Sequence, residues 1–162
     1  MKKIFIVILL CLFVCTPSIA GDLKKLSLDD IATLGLKIEN DSSVKVEGDG
    51  SIKISTLWPI TICLGEVTGL NIENAKLIYK ASVKSQLDGA ALLEMWVHVD
   101  GGQYFSRGLN STVTGNSDWK SIQAPFMLQK GQNPDRITLN LIINGKGTVW
   151  IDNIVLSKES LK

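Results

Sequence analysis

Apolar and polar residues alternate along much of this chain with a period of two, which is the pattern of β-strands with one buried face. In Ala75–Gln86, Leu77, Tyr79, Ala81 and Val83 lie on one face, and the other face carries Lys76, Lys80, Ser82 and Lys84. In Ala91–Asp100, alternate apolar residues again lie on one side: Ala91, Leu93, Met95, Val97 and Val99. A sheet with one apolar face and one solvent-facing face is typical of antiparallel structure, so both segments are predicted as strands.

The late stretch Asp135–Ser157 predicts a β-hairpin. Ile137, Leu139, Leu141 and Ile143 alternate with Thr138, Asn140, Ile142 and Asn144, and a second alternating run follows from Thr148. Between them stands Asn144-Gly145-Lys146-Gly147, and Asn-Gly is a strong hairpin signal because both residues tolerate positive φ. We therefore expect two strands joined by a turn here.

Turn residues divide the chain into eight to ten short strands, with turns expected at Gly48-Asp49-Gly50, Asp88-Gly89 and Asp100-Gly101-Gly102. Weak strand signals lie at Leu34–Glu39 and Ser43–Glu47, and further strands are expected at Ser51–Trp58 and Thr61–Val67. No segment alternates helix with strand. This pattern predicts an all-β protein, a two-sheet antiparallel β-sandwich of the jelly-roll kind.

The first twenty residues are expected to be a secretory signal peptide rather than part of the fold. Lys2 and Lys3 precede the apolar run Ile4–Val14, and Ser18-Ile19-Ala20 is a small-x-small cleavage site. The alternative is an uncleaved anchor, but the run is short for a membrane span. We expect cleavage after Ala20, a lead-in of short helix or extended chain over 21–42, and the sandwich over 43–162. The protein would then be secreted or periplasmic, with no membrane span after cleavage.

Cysteine content and charge narrow the function classes. Cys11 and Cys15 lie in the leader, which leaves Cys63 alone and excludes a disulfide framework or thiolate metal cluster. Cys63 sits in an apolar strand pattern and is expected to be a buried structural thiol. The formal net charge is only +1, with no long run of like charges, so nothing favours nucleic acid as a partner.

Candidate chemistry lies on the second face of Ala91–Asp100, where packing does not explain the residues. Trp96 is flanked at two-residue steps by Glu94 and His98. An aromatic plate beside hydrogen-bonding groups is how proteins bind sugars, with the ring stacking and the polar groups binding hydroxyls. Arg107 and Asn140 could complete this surface. The alternative is that Trp96 packs under a loop, and Trp58, Trp119 and Trp150 are each expected to pack structurally.

Catalytic motifs are missing from the sequence. There is one histidine, no nucleophile elbow, no HExxH and no phosphate loop. Glu94 and Asp100 would lie about 20 Å apart on one strand, too far for a glycosidase pair. Asp152, an acid late in the last strand, has two interpretations: a calcium ligand with backbone carbonyls, or a hydrogen-bond acceptor for a neighbouring loop. We prefer the second.

From Asn74 to Leu156 the chain resembles the galactose-binding-like jelly-roll domains seen in carbohydrate-binding modules of secreted glycoside hydrolases. The stretches that carry the resemblance are AKLIYKASVKS, LLEMWVHVDGG, GNSDWKSIQAPFML and INGKGTVWIDNIVLS. The resemblance implies a sheet face that forms a ligand groove, to which Trp96, Glu94 and His98 would contribute, and a structural calcium.

The sequence therefore predicts a non-catalytic ligand-binding module with carbohydrate as its ligand. The alternative is a protein–protein interaction or cell-envelope structural domain on the same fold, with an envelope protein as its partner. An enzyme would need a titratable group of shifted pKa beside Arg107 or His98.

Overall fold

The computed structural model describes residues 35–161, and these form only β-strands and loops. The strands are β1 (Leu36–Asp41), β2 (Ser51–Thr56), β3 (Ile60–Thr68), β4 (Ala75–Val99), β5 (Gly102–Arg107), β6 (Val113–Leu128) and β7 (Arg136–Ser160). All pairs are antiparallel. The expected all-β fold is confirmed. The predicted signal peptide and most of the lead-in lie outside the described residues.

Two 25-residue strands, β4 and β7, pair with each other along almost their whole length and pass through both layers. One layer, here called the front sheet, has the order β3, residues 136–143 of β7, residues 91–99 of β4, β5. The other layer, the back sheet, has the order β1, β2, residues 147–160 of β7, residues 75–87 of β4, β6. Because each long strand serves two layers, seven strands fill the positions for which eight to ten were predicted.

The predicted hairpin at Asn144–Gly147 and the predicted turn at Asp88-Gly89 are both wrong. Gly89 pairs directly with Gly145, and the ladder continues on both sides of them. A Cβ atom at Gly89 would overlap the carbonyl oxygen of Asn144, and one at Gly145 would overlap the carbonyl oxygen of Asp88. Their φ angles of 137° and 144° are in the region that favours glycine. These glycines let two backbones meet closely at the change of layer.

The core lies between the two sheets, as the alternation predicted. Alternate residues of β4 are buried throughout, including Leu77 and Tyr79 in the back sheet and Met95 and Val97 in the front sheet. Residues 137, 139, 141 and 143 of β7 complete the front wall. The hydroxyl of Tyr79 makes no hydrogen bond within the described part of the chain, and burial raises the pKa of this phenol.

The N-terminal part of the fold differs from the prediction in two places. β1 (Leu36–Asp41) overlaps the weak strand signal at Leu34–Glu39 and pairs with β2, so the sheet starts before the predicted domain boundary at residue 43. The segment Ser43–Glu47 is a loop rather than a strand. This loop is held by two carboxylates: Asp41 accepts hydrogen bonds from the backbone N–H groups of Ser43 and Val44, and Asp152 accepts them from Val46 and Glu47.

Candidate functional site

The outer face of the front sheet carries polar and aromatic side chains in cross-strand rows. One row runs Cys63, Asn140, Glu94, Arg107 across the four strands. The next runs Glu66, Thr138, Trp96, Phe105, and the third runs Thr68, Arg136, His98, Gln103. Neighbouring strands lie about 4.8 Å apart, so each row forms a continuous line of side chains.

Glu94 is the centre of the first row. It is only 3% exposed, and its carboxylate accepts hydrogen bonds from Trp96 Nε1 at 2.7 Å and Asn140 Nδ2 at 3.1 Å. Arg107 Nε donates a third at 2.6 Å and completes an ion pair. Burial raises the pKa of Glu94, but the hydrogen bonds from Arg107, Trp96 and Asn140 together outweigh it and hold the pKa below its usual value. Glu94 is therefore an ionised hub that positions its neighbours.

Trp96 and Phe105 form an aromatic platform beside this hub. Their ring centroids are 5.2 Å apart with an interplanar angle of 37°. The Arg107 guanidinium carbon lies 5.1 Å from the centroid of the Phe105 ring, so the arginine covers part of the second ring. Phe105 is 54% exposed, and the indole N–H of Trp96 is already bound to Glu94. The rings are held in place while part of their surface faces solvent.

His98 lies at the other end of the platform and does not join the Glu94 network. A terminal nitrogen of Arg136 is 3.4 Å from both ring nitrogens of His98, so the guanidinium group lies against the ring. Arg136 also forms a long ion pair with Glu66, whose carboxylate accepts a hydrogen bond from Thr138. The structure thus brings together Glu94, Trp96, Arg107 and Asn140, and places His98 with Arg136.

Two polar depressions border the platform. One, of about 360 Å³, is lined by His98, Gln103, Asp135, Arg136 and the Gly101-Gly102 turn. The other, of about 420 Å³, lies beside Arg107 and includes Ser106, Asn110 and Gln123. Hydrogen-bonding groups therefore stand at both ends of the aromatic surface.

Phe105 was missed by the sequence reading, although a signal for it was present. The turn predicted at Asp100-Gly101-Gly102 folds the next strand back on the preceding one, and a tight turn there sets Phe105 opposite Trp96. Cys63 was misplaced: it is exposed rather than buried. It pairs with Asn140 on the outer face, whereas its neighbours Ile62 and Leu64 pack against the core.

Asp152 lies away from this face, in the back sheet. Its carboxylate accepts three backbone N–H groups, from Val46, Glu47 and Asn153. This arrangement matches the second interpretation of Asp152, a hydrogen-bond acceptor for a neighbouring loop. Calcium needs a shell of oxygen ligands, whereas the neighbours of Asp152 present donors, and residues 35–161 contain no group of three or more acidic, histidine or cysteine side chains that could hold a metal. The residues present do not fit a calcium site, and calcium binding stays an untested prediction.

Comparison with known proteins supports the fold. No protein-family model matches the sequence, and no curated protein sequence matches it. Among solved structures, a family 16 carbohydrate-binding module superposes with a TM-score of 0.55 at 14% identity, covering 76% of this chain and 86% of that one. The chain has the β-sandwich fold of carbohydrate-binding modules.

Two other structures share the fold within larger chains. The carbohydrate-binding and catalytic modules of Clostridium thermocellum endo-1,4-β-D-xylanase 10B, solved with xylohexaose, give a TM-score of 0.56 at 13% identity over 77% of this chain and 25% of that one. The enzymatically active domain of bacteriophage CBA120 tailspike protein 4 gives a TM-score of 0.54 at 9% identity. That match covers 76% of this chain and 18% of the tailspike chain. This chain thus spans a quarter or less of those two proteins.

Proposed function

We propose that the protein is a non-catalytic carbohydrate-binding module and that the outer face of the front sheet holds the sugar. The observation that carries the proposal is the platform of Trp96 and Phe105, fixed by the Glu94 network and bordered by polar groups at both ends. Sugar rings present C–H faces that stack on aromatic rings, and their hydroxyl groups pair with amide, guanidinium and imidazole groups. The solved modules of similar fold support this assignment.

Glu94 does not have the properties of a general acid. A general acid in glycoside hydrolysis needs a raised pKa, whereas the pKa of Glu94 is lowered and its carboxylate already has three donors. Glu94 therefore suits a positioning role.

The test is a glycan-array screen of the purified protein with and without added calcium, followed by titration of the best ligand. We expect Trp96→Ala to weaken binding at least about tenfold, because the stacking surface is lost. Trp58→Ala is the matched control, since Trp58 is also solvent-exposed, at 42%, but stands between β2 and β3, off the platform. A blank array with well-folded protein, or equal losses in both variants, contradicts the proposal.

Secretion belongs to the same proposal. The basic, apolar and small-residue segments of residues 1–20 support export and cleavage after Ala20. The mass of the exported protein tests this, because cleavage predicts a chain that begins at Gly21. In the described part of the chain, no helix is long and apolar enough to cross a membrane.

A protein partner is the second candidate. Leu57 and Trp58 stand side by side at the β2–β3 connection and are 67% and 42% exposed. Adjacent exposed apolar side chains are a feature of interaction surfaces. If the glycan array is blank, envelope proteins captured by the wild type and lost with Trp58→Ala would favour this function.

A further inference from the structure

An aliphatic pocket opens between the two sheets, away from the proposed sugar face. Its volume is about 590 Å³, within the range of small-molecule sites. Leu77 of the back sheet and Leu139 of the front sheet both line it, so its floor is the protein core. Leu70, Ile72 and Leu156 contribute to its walls, and no aromatic side chain lines it.

The pocket is open because β7 becomes an edge strand here. β2 pairs with β7 only at residues 147–151, so residues 155–160 have a strand neighbour on one side alone among the described residues. The opposite wall is the loop of residues 69–74. That loop is tied down by hydrogen bonds from the Ile72 N–H to Asn133 and from the Asn74 N–H to Gln129. The wall is therefore built into the fold.

One cation stands at this pocket. Lys158 pairs across the strands with the buried Leu77, and both residues line the pocket. Within residues 35–161 Lys158 forms no ion pair, whereas the adjacent Glu159 pairs with Lys76. A lysine can bury its alkyl stem along apolar surface and keep its ammonium group in water. The site thus combines an aliphatic interior with a positive charge at its mouth.

We propose that this pocket binds a single-chain amphiphile with an anionic head, such as a free fatty carboxylate. The alkyl chain enters between the sheets, and the carboxylate pairs with Lys158. Burial of the alkyl chain supplies the affinity, and the charge pair selects the head group. The pocket does not share residues with the sugar platform, so this proposal is independent of carbohydrate binding.

The experiment uses dodecanoate and dodecyltrimethylammonium, which have the same alkyl chain and opposite head charges, both kept below their micelle concentrations. Isothermal titration calorimetry gives affinity, and methyl NMR spectra report which leucine and isoleucine residues respond. We expect saturable one-to-one binding of dodecanoate, weaker binding of the cation, and shifts at Leu77, Leu139 and Leu156.

Two variants separate the head and the tail contributions. Lys158→Glu is expected to weaken dodecanoate binding about three- to tenfold and to favour the cationic amphiphile. Lys120→Glu, the same charge change at an exposed position of β6 outside the pocket, is the matched control. Ile72→Trp fills the pocket and is expected to remove binding of both amphiphiles, with the thermal transition recorded to show that the variant is folded.

An inward lysine on an edge strand has another established use, which is to prevent edge-to-edge pairing. If that is its only role, neither amphiphile binds as a monomer and Lys158→Glu leaves the titrations unchanged. Either result overturns the proposal, as does binding that survives both pocket variants. Glycan binding is measured on the same samples, so failure here is distinct from failure of the sugar proposal.

Discussion

Glu94 shows how one residue can organise a site without offering itself to a ligand. Its carboxylate takes donors from Trp96, Asn140 and Arg107, three of the residues that the sequence proposed as sugar contacts. Fixing an indole by its N–H lowers the entropy that a ligand must remove when it stacks on the ring. Under the proposed function Glu94 supports the platform, and its role as a sugar contact stays a prediction.

Substitution of Glu94 tests this role. Glu94→Gln keeps the shape of the side chain but removes its charge, so the ion pair with Arg107 is lost. A former donor to the carboxylate then faces an amide N–H group, which cannot accept its hydrogen bond. We expect the free energy of unfolding to fall by about 1–2 kcal/mol. The loss is no larger because Arg107 is partly exposed and solvent weakens its ion pair. We also expect weaker sugar binding. Urea unfolding and ligand titration measure the two effects.

The matched variant is Glu66→Gln, which changes an acid of the same face whose side chain is 48% exposed. It should alter stability by less than about 0.5 kcal/mol. If Glu94→Gln binds sugar as the wild type does, the platform does not depend on the hub.

Among the elements, β4 and β7 show where local sequence reading reaches its limit. Alternation located both strands and their inner faces correctly, because period two is a local property. The continuation of β7 through Asn144-Gly145 could not be predicted. A glycine with positive φ is equally suited to a hairpin turn and to a place where two strands approach closely. The deciding fact is that Gly145 faces Gly89, a residue far away in sequence.

Gly145→Ala distinguishes a crossing from a turn. The new Cβ would overlap the Asp88 carbonyl oxygen and would hold an unfavourable φ, so we expect about 3 kcal/mol of destabilisation or no folded protein. Gly65→Ala is the control, because Gly65 lies in β3 with open space around its Cβ position. It should cost less than about 0.5 kcal/mol. Equal, small effects in thermal unfolding would be inconsistent with the close crossing.

At the scale of the whole molecule, the fold class and one strand of the site could be predicted from the sequence. The way that the site is assembled from several strands could not, because it depends on long-range strand pairing. Glu94, Trp96 and His98 were found because they share one strand face. Their partners Phe105 and Arg136 come from other strands, and only the register sets them beside Trp96 and His98. Cys63 is exposed because it alternates with Ile62 and Leu64, which pack against the core, so its predicted burial is wrong.

Stability of the whole domain should fall in acid. Hydrogen bonds from Ser43 and Trp150 lower the pKa of Asp41 from its usual 3.8 to about 2, and the pKa of Asp152 is also lowered, because its backbone hydrogen bonds outweigh burial. A lowered folded-state pKa stabilises the fold above the unfolded pKa. That stabilisation is therefore full above about pH 4 and is lost as the pH falls toward 2.

The acid effect is measured by thermal unfolding at stepped pH. Asp41→Asn should flatten the decline between pH 4 and 2, because the titrating group is gone. Asp49→Asn, in the same loop, makes a like change at an exposed acid and should keep the wild-type slope. A decline that is unchanged in Asp41→Asn would assign the acid sensitivity to other groups.

The long β4–β7 ladder also has a consequence for how the chain folds. Ala75 pairs with Ser160, although the two residues are far apart in sequence. Each of the other described strands except β1 pairs directly with β4 or β7. Contacts of such sequence separation require closure of a large loop before they stabilise anything, which makes folding slow. During synthesis, neither sheet can reach its full strand order until β7 has left the ribosome, because β7 lies inside both sheets.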